Sequence, residues 1–397
     1  MRLTYPGIVF VTSQKPMSMR VDGTSVSIGA TEDRIADPSR ILMMPEAAAR
    51  QIFRQRGHEA VTVHPSLDIP DTYPVPDAFD GTYPRQGTKV LVMMFTGWGD
   101  TILVQPVIRY LYEQGTARGT PPTITLAADW IHNFPYAHSP FIARIRPNVL
   151  TLADFLGYEV FVNLTHLTRD QFQGYSLKHL FLREMGYGEH CQVHRPSIEA
   201  SPERVRKIAA VFDDLRRRTG RKILSLNWRA RFPHKHAPPR LFCDISEALS
   251  DTYQSILITD KSNASIMARD IEEHGASISN CSSLITDFHD TIAALSLCDG
   301  IISVDTGVVH AAGALGIPGA ALFGPFHAAS HIGDYPSLTG IQSSYRSETC
   351  PGPCEESHRG CKEVNFDPRR VSPCFKAIRY EDVVDAFRAS VKRGAAA

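Results

Sequence analysis

Asp305-Thr306-Gly307 sets a carboxylate, a hydroxyl and a flexible glycine on three successive positions. An apolar run (Ile301, Ile302, Val304) leads into them, a helical run of small residues follows, and a second apolar run, Ala320 to Phe323, ends in Gly324-Pro325. Asp299 to Pro325 therefore reads as strand, turn, helix and strand. Such a turn is expected to gather its side chains at an uncapped helix N-terminus, with the first backbone N–H groups pointing past the strand end. An anion is the ligand that suits it.

Thr96-Gly97-Trp98-Gly99-Asp100 is the second stretch of this kind, between a buried-strand run, Lys89 to Phe95, and a predicted helix, Ile102 to Gln114. Its glycines let the backbone turn tightly and leave room for a ligand. Asp100 stands at the helix start, where a carboxylate can cap backbone N–H groups. A dinucleotide fingerprint needs a third glycine where Ile102 stands, and this weakens the reading as a nucleotide-binding oxidoreductase.

Four cysteines form the third feature: Cys350, Cys354, Cys361 and Cys374, with three, six and twelve residues between them. The paired C-x-x-C of common zinc ribbons is missing. The loop is rich in Pro and Gly and poor in apolar residues, so four thiolates there favour a metal that supplies folding energy, Zn(II) or iron by their sulfur chemistry. Reduced thiols without a metal are the alternative. Cys191, Cys243, Cys281 and Cys298 are isolated and read as ordinary buried thiols.

The elements that must position these residues follow from length and periodicity. At 397 residues the chain exceeds one small core. Residues 1–70 read as a small β-rich appended domain, with strands at Ile8 to Val11, Met17 to Val21, Val26 to Ile28 and Val61 to Val63, a hairpin at Asp22-Gly23 and a helix from Pro45 to Arg56. Residues 71–87 are proline-rich and read as a linker. Strands at Thr123 to Ala127 and Glu159 to Leu164 continue a first α/β domain over 88–218, which the helix Ser201 to Arg218 is expected to close. A second, over 219–345, runs through strands Lys222 to Asn227 and Ser255 to Thr259 and a helix Phe288 to Leu297 into the Asp305 turn. Residues 346–376 form the cysteine finger, and residues 377–397 contain an amphipathic helix, Tyr380 to Lys392, that must pack on one of the domains. Alternating strands and helices, twice over, argue an α/β protein of two doubly wound parallel-sheet domains facing a cleft.

Lys plus Arg and Asp plus Glu both number 42, so nothing in the charge balance points to nucleic acid. The N-terminus lacks a basic-then-apolar signal pattern and no run is long enough to span a membrane. A soluble, cytoplasmic protein with reduced thiols is expected.

The pairing of VLVMMFTGWGDTILVQPVIRYL with SVDTGVVHAAGALGIPGAALFGP resembles glycosyltransferase family 9, the ADP-heptose transferases of GT-B fold. The resemblance covers roughly residues 88–345. It implies an inverting transferase in which Asp100 is the general base, within a substrate-binding turn formed by Thr96, Gly97, Trp98 and Gly99. A single in-line displacement needs the acceptor hydroxyl deprotonated as it attacks, while the diphosphate leaves from the opposite face. Asp305, Thr306, Gly307 and His310 match the family's phosphate-facing turn. The family's donor lysine falls on Lys235, in a segment where Ala237 replaces a Trp, and Arg229 or Arg231 could serve instead. Asp260 is the candidate for the ribose hydroxyls. No metal is implied in the catalytic step.

A small β-rich front domain, a family 9 core and a four-cysteine finger together resemble the bacterial autotransporter heptosyltransferases. This branch has an iron-binding finger, assembles as a twelve-subunit particle, and transfers heptose from ADP-heptose to serines of autotransporter adhesins. The resemblance implies iron, with zinc as the alternative, a large homo-oligomer and a protein acceptor. Transfer to a lipopolysaccharide core sugar would use the same catalytic residues, and a metal-dependent assembly protein without catalysis would have no reason to keep Asp100.

Overall fold

The computed structural model describes residues 1–13, 17–21, 24–28, 37–50, 61–94, 97–128, 135–136, 139–165, 176–185, 187, 194–354, 360–367 and 370–396. Two compact units emerge: one of Met1–Gly97, Pro106–Thr168 and Lys178–His194, the other of Trp98–Gln105, Arg169–Leu177 and Arg195–Ala397.

In the first unit a parallel sheet runs in the order Arg144–Pro147, Thr123–Ala128, Lys89–Met93, Val160–Asn163, Asp77–Ala78. Counted from Lys89–Met93, its first four strands lie 3-2-1-4, the order of a doubly wound sheet. The edge strand Asp77–Ala78 comes from the stretch expected to be a linker. Tyr83 in the same stretch is buried, and its hydroxyl donates to the Leu111 carbonyl.

The N-terminal segment forms an antiparallel sheet of Leu150–Thr151, Leu42–Pro45, Ile8–Ser13 and Val61–His64. Met17–Val21 pairs with Thr24–Ile28 as a hairpin expects; Asp22-Gly23 itself lies outside the described residues, as does the predicted helix beyond residue 50. This segment is less separate than its sequence suggests. Leu150–Thr151, its edge strand, comes from the α/β part, and Leu3, Ile8, Phe10 and Met43 share one core with Leu91, Met93, Phe155 and Phe161.

The second unit holds a six-stranded parallel sheet in the order Ile278–Asn280, Tyr253–Leu257, Lys222–Asn227, Gly300–Val304, Gly319–Phe323, Leu338–Gln342. That is 3-2-1-4-5-6, so the order reverses between Lys222–Asn227 and Gly300–Val304, and ligands of such sheets bind beyond the strand ends at that point. All five residues of Gly300–Val304 and of Gly319–Phe323 are buried, which explains why Ser303 is the one polar residue in these two strands. The C-terminal helix, Tyr380–Ala396, packs here through Val383, Val384 and Phe387.

Three expectations need correction. The helix Pro202–Thr219, expected to close the first α/β domain, belongs to the second unit, where Arg204 pairs with Asp287 and Asp290. The helix predicted from Ile102 starts at Trp98, so Asp100 sits in its first turn and not before it. This helix also divides, with Trp98–Gln105 grouping with the second unit, so Asp100 lies in the unit that contains Asp305. Finally, the helix Gly307–Ala314 is capped: Thr306 Oγ1 accepts from the Val308 amide. No helix among the described residues is long and apolar enough to cross a membrane.

Candidate active site

Asp305 follows the last residue of the strand Gly300–Val304, and its amide donates to the Leu322 carbonyl of the neighbouring strand. The side chain is thereby fixed at the switch point, where it is buried. Lys235 reaches it from the 3-10 turn Pro233–Lys235, beyond the other central strand, with Nζ 2.5 Å from Asp305 Oδ2. The same ammonium lies 4.6 Å from the centroid of the Phe326 ring, within cation–π range. His310, one turn into the helix Gly307–Ala314, brings Nε2 to 3.6 Å from Asp305 Oδ1. Its Nδ1 is buried with no hydrogen-bond partner among the described residues.

The arrangement has an electrostatic consequence. A bare carboxylate at the switch point would repel an anion, and Lys235 cancels that charge within hydrogen-bond distance. The helix N-terminus beside it can then act on a ligand. Thr306 satisfies most of its first-turn amides, through Oγ1 for Val308 and through its carbonyl for Val309 and His310. The Gly307 amide alone among these has no acceptor among the described residues, so the turn offers one N–H and not a row of them.

Trp98, Gly99 and Asp100 approach the same helix. The Trp98 ring stacks on Phe288, with centroids 4.4 Å apart. A Cβ on Gly307 would stand 2.6 Å from Trp98 Cβ, and one on Gly99 would stand 2.4 Å from His310 Cδ2. The space at Gly99, read from sequence as room for a ligand, is thus taken by the imidazole: the glycine permits close approach of two helix starts. Beyond His310 lies Tyr335, whose ring meets the imidazole edge-on at 5.8 Å. Burial pushes the Tyr335 phenol well above its ordinary pKa, and the charges of Asp334 and Asp100 add to the shift. Asp100 therefore stands within electrostatic reach of Tyr335 and is itself half-buried.

The structure thus gathers Trp98, Gly99, Asp100, Lys235, Asp305, Thr306, Gly307 and His310. Arg229 and Asp260 are joined elsewhere: Arg229 Nε donates to Asn263 Oδ1, and Asn263 Nδ2 and its amide donate to the Asp260 carboxylate, which holds the start of the helix Lys261–His274. Arg231 is exposed, its guanidinium 5.9 Å from the Phe232 ring. Gly97 directly precedes the Trp98 helix, and Thr96 lies outside the described residues. Sequence reading missed Tyr335, Phe326 and Phe288, aromatic residues with no motif spacing to mark them.

Residues 179–355 match the family model described as glycosyltransferase family 9 (heptosyltransferase). This stretch is less than half of the chain, and over it the chain is similar to glycosyltransferase family 9. No curated protein sequence matches it. Among solved structures it is similar to the glycosyl transferase family 9 protein from Veillonella parvula, at 13% identity and TM-score 0.58 over 79% of this chain and 99% of that one. The E. coli ADP-heptose lipopolysaccharide heptosyltransferase II gives 15% and 0.56 over 77% of this chain and 99% of its own. TibC from enterotoxigenic E. coli, an iron-containing dodecameric glycosyltransferase, gives 10% and 0.53, over 99% of this chain and 94% of its own. At these identities the likeness is one of fold, and that fold is GT-B.

The chain also carries the four cysteines. Cys350, Cys354, Cys361 and Cys374 line one cavity of about 20 Å³, room for a single ion or water, with His234, Gly324 and Glu363 beside them. Burial pushes the Cys374 thiol up to about 12, reinforced by Cys361, Cys354 and Cys350. Among the described residues no three His, Cys, Asp or Glu side chains stand close enough together to hold an ion. The donor set and the single shared cavity suit a sulfur-ligated metal; the side-chain spacing is wider than ligation requires. Cys243 and Cys281 are buried and Cys298 half-buried, as isolated thiols should be, while Cys191 lies outside the described residues.

Proposed function

We propose that this glycosyltransferase moves heptose, with inversion, from ADP-heptose to a hydroxyl of a protein acceptor, a serine of an autotransporter adhesin. The observation that carries the reading is the buried Lys235–Asp305 pair beside Thr306, Gly307 and His310, assembled in one unit with Asp100. Asp100 takes the acceptor proton as the hydroxyl oxygen bonds to the anomeric carbon. The bond from that carbon to the β-phosphate oxygen breaks, and ADP departs with the electron pair. Lys235 and the Gly307 amide stabilise the charge that develops on the diphosphate. The family's description as heptosyltransferases and the structure of TibC with ADP-D-beta-D-heptose support the choice of donor.

The protein acceptor is supported by coverage: the TibC likeness takes in residues 1–70 and the cysteine loop 346–376, spanning 99% of the chain, whereas the lipopolysaccharide enzyme matches 77%. On the same grounds the cysteine cavity takes iron, with zinc as the alternative, and the chain forms a large homo-oligomer; a cytoplasmic location goes with this reading. A bound metal would hold the loop folded; the four thiolates would be its ligands. The second reading, transfer to a lipopolysaccharide core sugar, is favoured by the higher TM-score of that enzyme. Incubation of the purified protein with ADP-heptose and each acceptor class decides: an autotransporter passenger gaining increments of one heptose in intact mass supports the first reading. Consumption of donor only with core oligosaccharide supports the second, and no consumption with either rejects both.

A further inference from the structure

The cysteine loop reaches Lys235 along two paths. Ser372 occupies the N-cap position of the short helix Pro373–Lys376, which carries Cys374. A serine there ordinarily accepts from a first-turn amide, and Ser372 makes no such bond. Its hydroxyl donates instead to the His234 carbonyl, 3.0 Å away and 138 positions earlier in the chain, with the side chain almost fully buried. His234 is the middle residue of the turn that ends in Lys235.

The other path runs through Gly324. A Cβ at this position would stand 2.6 Å from Cys374 Sγ and 2.8 Å from a Phe375 ring carbon, so the backbone lies directly against the same helix. Two residues later comes Phe326, whose buried ring faces the Lys235 ammonium. The carbonyl before the lysine and the aromatic surface under its charge are therefore both braced by the segment that carries Cys374. A lysine side chain has a flexible four-carbon stem, so the place of its charge depends on how well its base and platform are fixed.

We propose that Ser372 is a positioning residue for Lys235: its hydroxyl, directed away from its own helix, fixes the His234 carbonyl so that the ammonium meets the donor diphosphate. This rests on the reading of Lys235 as the diphosphate-facing lysine, which ADP binding by the wild-type protein tests separately. Titration calorimetry with ADP and ligand-observed NMR with adenosine, on the full chain, test the proposal. Ser372→Ala is expected to lose about tenfold in ADP affinity, the size of one charge-assisted hydrogen bond out of place, with adenosine binding unchanged. Ser372→Thr, which keeps the hydroxyl, should restore it. Equal weakening of ADP and adenosine, or wild-type ADP affinity in Ser372→Ala, overturns the proposal. A wild-type protein that binds no ADP overturns the donor reading and this inference together.

Discussion

Lys235 Nζ and Asp305 Oδ2 meet at 2.5 Å with both side chains shielded from water. Deleting either partner leaves the other charge buried, and His310 Nε2, at 3.6 Å, is too distant to replace the lysine as a hydrogen-bond donor. Lys235→Met and Asp305→Leu should each cost about 3–5 kcal/mol in urea unfolding, and the double variant less than their sum. Additive losses would mean that the pair is not coupled.

Gly99→Ala sets two effects against each other. Alanine within a helix ordinarily gains up to about 1 kcal/mol over glycine. Here its Cβ would stand 2.4 Å from a buried imidazole that is backed by Tyr335, and overpacking of this kind costs about 1–3 kcal/mol. The clash should win, giving a lower unfolding midpoint and weaker ADP binding. Gly394→Ala, with no neighbour nearer than 3.8 Å, should raise stability by a few tenths of a kcal/mol.

Much of this site could be read in the sequence because its anchors follow strand ends. Lys222–Asn227 and the strand before the Asp305 turn announce themselves by runs rich in Ile, Leu and Val that stop at polar residues, and strand order then brings those ends together. Less was legible wherever a choice depended on a distant partner. Nothing near Gly99 in sequence says that an imidazole some two hundred residues later fills its empty side. Asp260 and Thr306 show the ambiguity of short polar residues after a strand: the first serves its own helix start through Asn263, while the second caps a helix inside the site. The N-terminal segment shows it at larger scale, since local β patterns located its strands but could not reveal that Leu150–Thr151 would join them.

Asp100→Asn tests the base. Asparagine keeps the shape of the first turn but cannot take a proton, so turnover should fall by about 10²–10⁴ while ADP affinity stays as in the wild type. Turnover near wild type would remove Asp100 from the role.

Asp290 links acid stability to the site through Phe288, which heads the same helix and stacks on Trp98. Burial pulls the Asp290 carboxyl up, but hydrogen bonds from the Thr286 hydroxyl and amide and from Arg204, at 2.6 Å, outweigh it and hold the pKa below the ordinary value. A carboxyl depressed on folding adds stability above its unfolded pKa, near about 4, and that stability is lost as pH falls through the lower folded value. Asp290→Asn should therefore unfold earlier than the wild type at pH 7 and approach it as the pH drops below about 4, because protonation takes from the wild type what the substitution has already removed. Urea midpoints measured from neutral pH downward give the comparison; a constant gap between the two proteins across that range would show that the Arg204–Asp290 pair contributes no linked stability, and that packing alone holds the helix Pro202–Thr219 against the helix Phe288–Leu295.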